Sequence, residues 1–212
     1  INQAITSPPY WNLKNYFKEG QIGQESYEEY LSRLGDVFSE TYKKLKDDGS
    51  LWININLRRR QGKVILNPGD IVDLCKSIGY FYKGIIIWHK SSGIPVGDSN
   101  LVDRYEVVFI FSKGEDFKMK SEFMDSMDDY KNEIITGKSF WNINRKAGSV
   151  GKGYEHPAIF PKELVKNIPF FPVNIEVVFS PIFIPSISSF ISFKRKLSVT
   201  NTTSSLSFII FS

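Results

Sequence analysis

Cysteine and histidine are scarce in this sequence of 212 residues, which contains one cysteine and two histidines. Because Cys75 stands alone, an internal disulfide and a cysteine-rich zinc site are excluded, and a reducing, cytoplasmic compartment is expected. The two histidines, His89 and His156, give little support to a histidine metal site or a Ser-His-Asp triad, so no metal is expected. Cys75 lies among aliphatic residues at helical spacing, which predicts a core thiol rather than a nucleophile.

The end of the chain lacks two further residue types. Glycine is absent after Gly153, and acidic residues are absent after Glu176. The 36 residues from 177 to 212 instead contain 10 Ser, 6 Phe and 6 Ile. A tight turn against a bound ligand needs the freedom and small size of glycine, so no such turn is expected here. The apolar run 177–193 contains two prolines and is short for a membrane span, so a membrane-spanning helix is not expected.

The charge of the chain is only weakly positive. Its formal net charge is +4, and three of these charges come from Lys194–Lys196, so the rest is nearly neutral. Contacts with nucleic acid would therefore come from local clusters, such as Arg58–Arg60 with Lys63, rather than from bulk charge. For Arg58–Arg60 two interpretations stay open, a solvated loop after a strand and a DNA contact. The length and the 42% apolar content suit a single globular domain.

Residues 6–11 form the segment with the clearest chemistry, Thr-Ser-Pro-Pro-Tyr-Trp. Proline has a fixed φ and no N–H to donate, so the carbonyl groups of Ser7 and Pro8 can be held outward as hydrogen-bond acceptors. Tyr10 or Trp11 offers an aromatic face for stacking. The segment therefore suits a flat ring that carries an amino group, and the exocyclic amine of a nucleobase fits this description.

Strands and helices alternate along the first half of the chain, which favours an α/β fold with a doubly wound sheet. Ser26 and Glu29 have the spacing of a capping box, and apolar residues recur at helical spacing from there to Leu45. A second helix is predicted to begin at Asn67-Pro68 and to end near Ser77.

Strands are predicted at residues 2–5, 51–57, 81–89 and 107–111, and the third is predicted to be buried because Ile85–Ile87 lacks alternation. Open α/β sheets bind ligands at the carboxyl ends of their strands. Because Ser7–Tyr10 directly follow the first predicted strand, the motif lies where a site is expected.

The Ser-Pro-Pro-Tyr-Trp motif resembles the catalytic motif of the amino-directed DNA methyltransferases in its cytosine-N4 form. Serine rather than aspartate at position 7 favours cytosine over adenine within that resemblance. Over residues 1–168, later blocks are similar to those of the family in the same order: Gly23-Gln24-Glu25, the helix Tyr27–Leu45, the strand Gly49–Asn56, the strand ending at Trp88-His89-Lys90, Asp103–Phe111 and His156–Pro161. In the beta-type, circularly permuted arrangement of the family, the catalytic half precedes the cofactor half.

The resemblance implies a Rossmann-like methyltransferase sheet that binds S-adenosyl-L-methionine and acts on double-stranded DNA with a flipped base. It assigns catalysis to Ser7, Pro8, Pro9 and Tyr10. It places Thr6, His156 and Pro157 near the cofactor, and Trp11 near the substrate. No metal or covalent intermediate is implied, since methyl transfer to an exocyclic amine needs no cysteine.

Residues 113–153 interrupt the alternation and correspond, by resemblance, to the target-recognition segment. Long insertions in α/β folds are commonly functional. Arginine and asparagine side chains can read guanine and adenine edges, so Trp141, Asn142, Arg145 and Lys146 are candidate DNA contacts. A plain surface loop is the alternative interpretation of this segment.

These observations predict four parts: a catalytic half (1–112), a target-recognition insertion (113–153), a return to the methyltransferase core (154–168) and an atypical tail (169–212). The family normally follows its His-Pro block with a glycine-rich turn around the cofactor, and the tail lacks one. We therefore expect an incomplete sheet, through a reading-frame change near residues 168–176 or loss of the cofactor half. The competing hypothesis is an inactive DNA-binding fragment, or one part of a split enzyme whose dimer partner or second chain supplies the cofactor half.

Overall fold

The structure is a computed structural model. It describes residues 1–13, 15, 19–61, 63–90, 104–117, 139–143, 164 and 168, and the backbone of residues 176–179 and 207–210. The elements in these ranges are β1 (Gln3–Thr6), α1 (Tyr27–Lys44), β2 (Ser50–Ile55), β3 (Arg58–Arg60), β4 (Lys63–Leu66), α2 (Pro68–Ile78), β5 (Phe81–His89), β6 (Tyr105–Ser112), β7 (Phe140–Asn142), β8 (Glu176–Phe179) and β9 (Ser207–Ile210).

The main sheet has the strand order β1-β2-β6-β5-β7. β1 and β2 pair in parallel, from Gln3 opposite Ser50 to Thr6 opposite Ile53, and β5 pairs in parallel with β7. β5 and β6 run in opposite directions, because Lys90 after β5 bonds to Arg104 before β6, whereas Lys83 near the start of β5 bonds to Glu115 beyond β6. The α/β fold class is confirmed; the sheet is mixed, because β6 runs antiparallel to β5.

The chain divides into two compact units. The first comprises Ile1–Ile85, Val108–Phe117 and Phe171–Ser212, and the second comprises Ile86–Val107 and Lys118–Phe170. The first contains the predicted catalytic motif and both helices, and the second contains β7. Within the first unit, β8 and β9 pair in parallel, and the backbone of β8 lies beside β1. The permuted, incomplete sheet and the reading-frame change remain predictions.

Both helices begin where local capping chemistry predicts. In α1 the Ser26 hydroxyl accepts a hydrogen bond from the Glu29 N–H at 3.2 Å, and the extended Leu45 ends the helix. In α2 the Asn67 side chain accepts from the Gly69 N–H at 3.0 Å. Gly79 ends α2 with φ of 114°, a left-handed conformation that favours glycine. The two helix predictions are confirmed.

Two strand assignments differ from the interpretations of the sequence. A solvated loop was one of the two interpretations of Arg58–Arg60, but these residues form β3, which pairs antiparallel with β4. β5 was expected to be buried throughout, yet Phe81 and Tyr82 at its start are exposed and only Ile86 and Trp88 are fully buried. An unbroken apolar run gives no information on which of its residues face solvent, so the sequence could not distinguish these positions.

Cys75 lies in the buried face of α2 with 0% exposure, and this burial raises the pKa of its thiol. Since the thiolate is the reactive form, we expect negligible alkylation of the folded chain at neutral pH and one modified cysteine per chain after unfolding in guanidinium. Mass spectrometry after iodoacetamide treatment measures both states. Rapid labelling of the folded chain would show that α2 is not packed as described.

Candidate functional site

The predicted catalytic motif lies at the carboxyl edge of the parallel pair β1–β2. Ser7-Pro8-Pro9-Tyr10 directly follows β1, and the end of β2 carries two buried amides, Asn54 (2% exposed) and Asn56 (7% exposed). Pro8 is buried, whereas Ser7, Pro9 and Tyr10 are half-buried. The motif therefore occupies the edge at which open α/β sheets bind ligands.

A side chain from the first turn of α1 fixes the carbonyl group of Pro9, the second proline of the motif. The Tyr30 hydroxyl donates a hydrogen bond of 2.8 Å to the Pro9 carbonyl, and Tyr30 itself is fully buried. Burial raises the pKa of Tyr30, so the hydroxyl remains a proton donor. Tyr27 stacks against Tyr30 at 6.0 Å and donates to an Asp70 carboxylate oxygen at 2.6 Å. Partial burial, followed by the bond to Asp70, raises the pKa of Tyr27 to about 12.

A tight loop, residues 20–25, braces the segment that follows the motif. One Glu25 carboxylate oxygen accepts from the Gly23 N–H at 2.9 Å and the Gln24 N–H at 2.8 Å, and lies 3.5 Å from the Arg33 guanidinium. Gly23 has φ of 104°, and its carbonyl accepts from the Asn12 N–H at 2.8 Å. The Glu25 carboxylate thus fixes the conformation of the loop, and the loop in turn fixes the backbone that follows Tyr10.

Trp11 is also held by this loop. Its indole N–H donates to the Glu25 carbonyl at 2.9 Å, and its ring lies 5.0 Å from the Tyr27 ring at 59°. The polar edge of Trp11 is therefore already engaged within the protein, which leaves the ring faces for other contacts. Its predicted role in substrate binding remains a prediction.

The Ser7 and Pro8 carbonyl groups of the motif can accept hydrogen bonds from a ligand. Among the described residues, none donates a hydrogen bond to the carbonyl of Ser7 or Pro8, whereas the Pro9 carbonyl is occupied by Tyr30. Two consecutive acceptors in rigid backbone suit a donor with two hydrogen atoms, such as an amino group. The arrangement can orient an amine without supplying an acid, a base or a nucleophile.

A sequence model of the DNA methylase family, named N6_N4_Mtase, matches residues 1–168. This chain belongs to the DNA methylase family. It is 32% identical over 179 residues to type II methyltransferase M.MwoI of Methanothermobacter wolfeii. The matched region covers 79% of this chain and 23% of that protein. It is 28% identical over 201 residues to M.SmaI of Serratia marcescens, covering 77% of this chain and 65% of that protein. The chain thus spans less than two thirds of the length of each relative.

Among solved structures, the chain is similar to the cytosine-N4-specific PvuII DNA methyltransferase. The TM-score is 0.63 with 22% identity, covering 84% of this chain and 66% of that one. This likeness shows that the chain has a Rossmann-like fold.

Trp141 and Asn142 of the predicted recognition segment lie in β7. Trp141 is fully buried, and a buried indole cannot reach a DNA base unless the strand moves, so its position argues against the predicted contact. Asn142 is half-buried, and its side-chain oxygen lies 3.0 Å from Nδ1 of His89, which ties β7 to the end of β5. The second unit also contains an ion pair between Lys90, after β5, and Glu106 in β6.

Four predicted site residues lie outside the described residues: Arg145, Lys146, His156 and Pro157. Thr6, the remaining predicted cofactor residue, is the last residue of β1 and is half-buried. The assignments of all five remain predictions.

Sequence patterns did not reveal the residues that support the motif. Glu25, Tyr30 and Arg33 were assigned only to a family block or to a helix, although together they fix the backbone on both sides of Tyr10. A carboxylate two positions after glycine and directly before a helix cap was the available signal, since such a carboxylate can accept loop N–H groups. The alternation in Ile53–Asn56 would predict exposed amides, whereas both Asn54 and Asn56 are buried, so the sequence contains no signal for them.

The part of the chain that the structure describes offers no group of three or more His, Cys, Asp or Glu side chains placed to hold a metal ion. Within the same ranges, no helix is both long and apolar enough to cross a membrane.

Proposed function

We propose that this chain takes part in site-specific DNA methylation of the restriction-modification type, with methyl transfer from S-adenosyl-L-methionine to the exocyclic amine of a flipped cytosine. The observation that carries the proposal is the pair of acceptors in Ser7 and Pro8 at the carboxyl end of β1, with the next carbonyl fixed by Tyr30. Family membership and the serine at position 7 support the choice of reaction and base. Adenine is the alternative base.

Conjugation draws the lone pair of a cytosine amine into the ring, so the free amine is a weak nucleophile. Hydrogen bonds from the amine to the Ser7 and Pro8 carbonyl groups would favour a tetrahedral nitrogen and expose its lone pair. The extruded ring would stack on Tyr10. When bound, S-adenosyl-L-methionine supplies an electrophilic methyl group on a sulfonium. The protein therefore contributes orientation and hydrogen-bond acceptance.

Among the described residues, Thr6 would contact the cofactor, because it ends β1 at the ligand-binding edge of the sheet. Within the proposal, His156 and Pro157 complete this contact. Residues 154–212 contain no glycine, so the glycine-rich turn around the cofactor lies outside them. Within the proposal, a dimer partner or second chain is a source of that turn. The single buried thiol suits the reducing cytoplasm as the place of action.

The test is a methylation assay with labelled S-adenosyl-L-methionine and duplex DNA, followed by nucleoside analysis by mass spectrometry. We expect N4-methylcytosine; N6-methyladenine would correct the base, and no methylated nucleoside from a chain that binds S-adenosyl-L-methionine would contradict the proposal. Calorimetric titration of the 212-residue chain with S-adenosyl-L-methionine, alone and in the presence of DNA, measures whether the cofactor binds to this chain itself.

Two variants test the roles in the motif. Pro8→Ala should lower turnover more than DNA binding, because it loosens the acceptor without removing a DNA contact. Tyr10→Ala should weaken capture of the extruded base by about 1–3 kcal/mol, the usual contribution of base stacking on an aromatic ring. Pro68→Ala, at the first position of α2, is the matched control and should leave both quantities unchanged. Equal losses of turnover and binding in Pro8→Ala would count against its role.

A further inference from the structure

The β3–β4 hairpin concentrates positive charge near the motif. Arg58, Arg59, Arg60 and Lys63 lie within six consecutive positions, and no acidic residue occurs between positions 49 and 69. The next acidic residue, Asp70, already accepts the Tyr27 hydroxyl. The sequence of the hairpin therefore contains no carboxylate that could neutralise its cations.

The pairing of the two strands holds like charges together. Arg60 lies directly opposite Lys63 in the antiparallel register, and both are exposed. Like charges directly opposite on neighbouring strands destabilise a hairpin. Arg58 adds to this field, and its partial burial and the charge of Arg60 lower its pKa. The repulsion between these positive charges is relieved when an anion binds between them.

Arg58 connects the hairpin to the catalytic segment. Its guanidinium donates a 2.8 Å hydrogen bond to the carbonyl of Asn12, which follows Trp11 in sequence. Asn12 has φ of 51° and donates its N–H to the Gly23 carbonyl, so its backbone is fixed on both sides. The cations of the hairpin are thus held at a constant position relative to the motif.

We propose that the β3–β4 hairpin binds the phosphate backbone of DNA beside the base that enters the motif, with Arg60 and Lys63 as phosphate contacts and Arg58 as the anchor of the hairpin. The inference rests on the proposed function and specifies one part of its DNA interface. Arginine and lysine contacts to phosphate position a protein on the duplex and carry no sequence information themselves. The hairpin thus contributes affinity and register, and sequence is read elsewhere.

The test measures binding of the full chain to a mixed-sequence DNA duplex as a function of salt concentration. Each lost phosphate contact lowers the slope of log K against log salt by about 0.9, so the double variant Arg60→Ala/Lys63→Ala should lose about 1.8. The charge-conserving swap Arg60→Lys/Lys63→Arg should retain the wild-type slope. The control Lys46→Ala/Lys76→Ala removes two exposed lysines outside the hairpin and should change the slope little.

The outcomes separate the two proposals. If the wild-type chain binds duplex DNA and the hairpin variant keeps the same slope as the lysine control, the hairpin proposal is overturned while the proposed function stands. If the wild-type chain shows no salt-dependent DNA binding, both are overturned. A loss of slope confined to the hairpin variant, with restoration by the charge-conserving swap, supports the phosphate contact.

Discussion

Replacing Glu25 with alanine should lower the free energy of unfolding by about 3 kcal/mol. This loss lies between the contribution of one hydrogen bond to a charged group and the cost of removing one partner of a fully buried ion pair. The Glu25 side chain is only 8% exposed, and one of its oxygens accepts two backbone N–H groups and faces Arg33. Its removal leaves both N–H groups without this acceptor. Arg33 still donates hydrogen bonds to the carbonyl groups of Gln21 and Gly20, which limits the loss of stability.

The same change should reduce methyl transfer beyond the loss of folded protein, because loop 20–25 braces the backbone after Tyr10 and carries the acceptor of the Trp11 indole. Glu25→Gln keeps an acceptor but removes the charge, so its unfolding free energy should fall between those of wild type and Glu25→Ala. Denaturant unfolding and turnover of fully folded samples measure the two effects separately.

Glu28→Ala is the matched control, since Glu28 is exposed in the first turn of α1. It should cost less than about 1 kcal/mol through the helix dipole and leave turnover unchanged. An equal loss of stability in the Glu25 and Glu28 variants would contradict the bracing role of the loop.

The parts of this fold that the sequence predicted are those that depend on local chemistry. Ser26 caps α1 and Asn67-Pro68 opens α2, because each cap is completed by a residue two or three positions away. The motif was placed correctly at a strand end for the same reason, since a short strand immediately precedes two prolines.

The parts that the sequence did not predict depend on distant partners. β7 is a strand because it pairs with β5, more than 50 positions earlier, and three residues carry no periodicity of their own. The burial of Trp141 follows from that pairing and could not be read from its neighbours, since the adjacent Phe140 is equally apolar but exposed. Similarly, nothing in an arginine run indicates a strand, and β3 exists only because the apolar β4 pairs with it. The support of Pro9 by Tyr30 spans 21 positions and has no local pattern.

The apolar support beneath the motif can be tested in the same way as its polar support. A small cavity lies between the motif and α1, with Pro8 and Pro9 on one side and Leu34 and Phe38 on the other. Phe38 is 1% exposed. Phe38→Ala should cost about 3–5 kcal/mol of unfolding free energy, because it removes a buried ring and enlarges a space that already exists.

Phe81→Ala makes the identical substitution at a residue that is 40% exposed at the start of β5. It should cost less than about 1 kcal/mol, since a surface position leaves no cavity. Because the Phe38 ring lines the same cavity as the two prolines, turnover of folded Phe38→Ala should fall while turnover of folded Phe81→Ala stays at the wild-type level. If Phe38→Ala lost stability but kept full turnover, the rigidity of the motif would have to come from Tyr30 and the Glu25 loop alone.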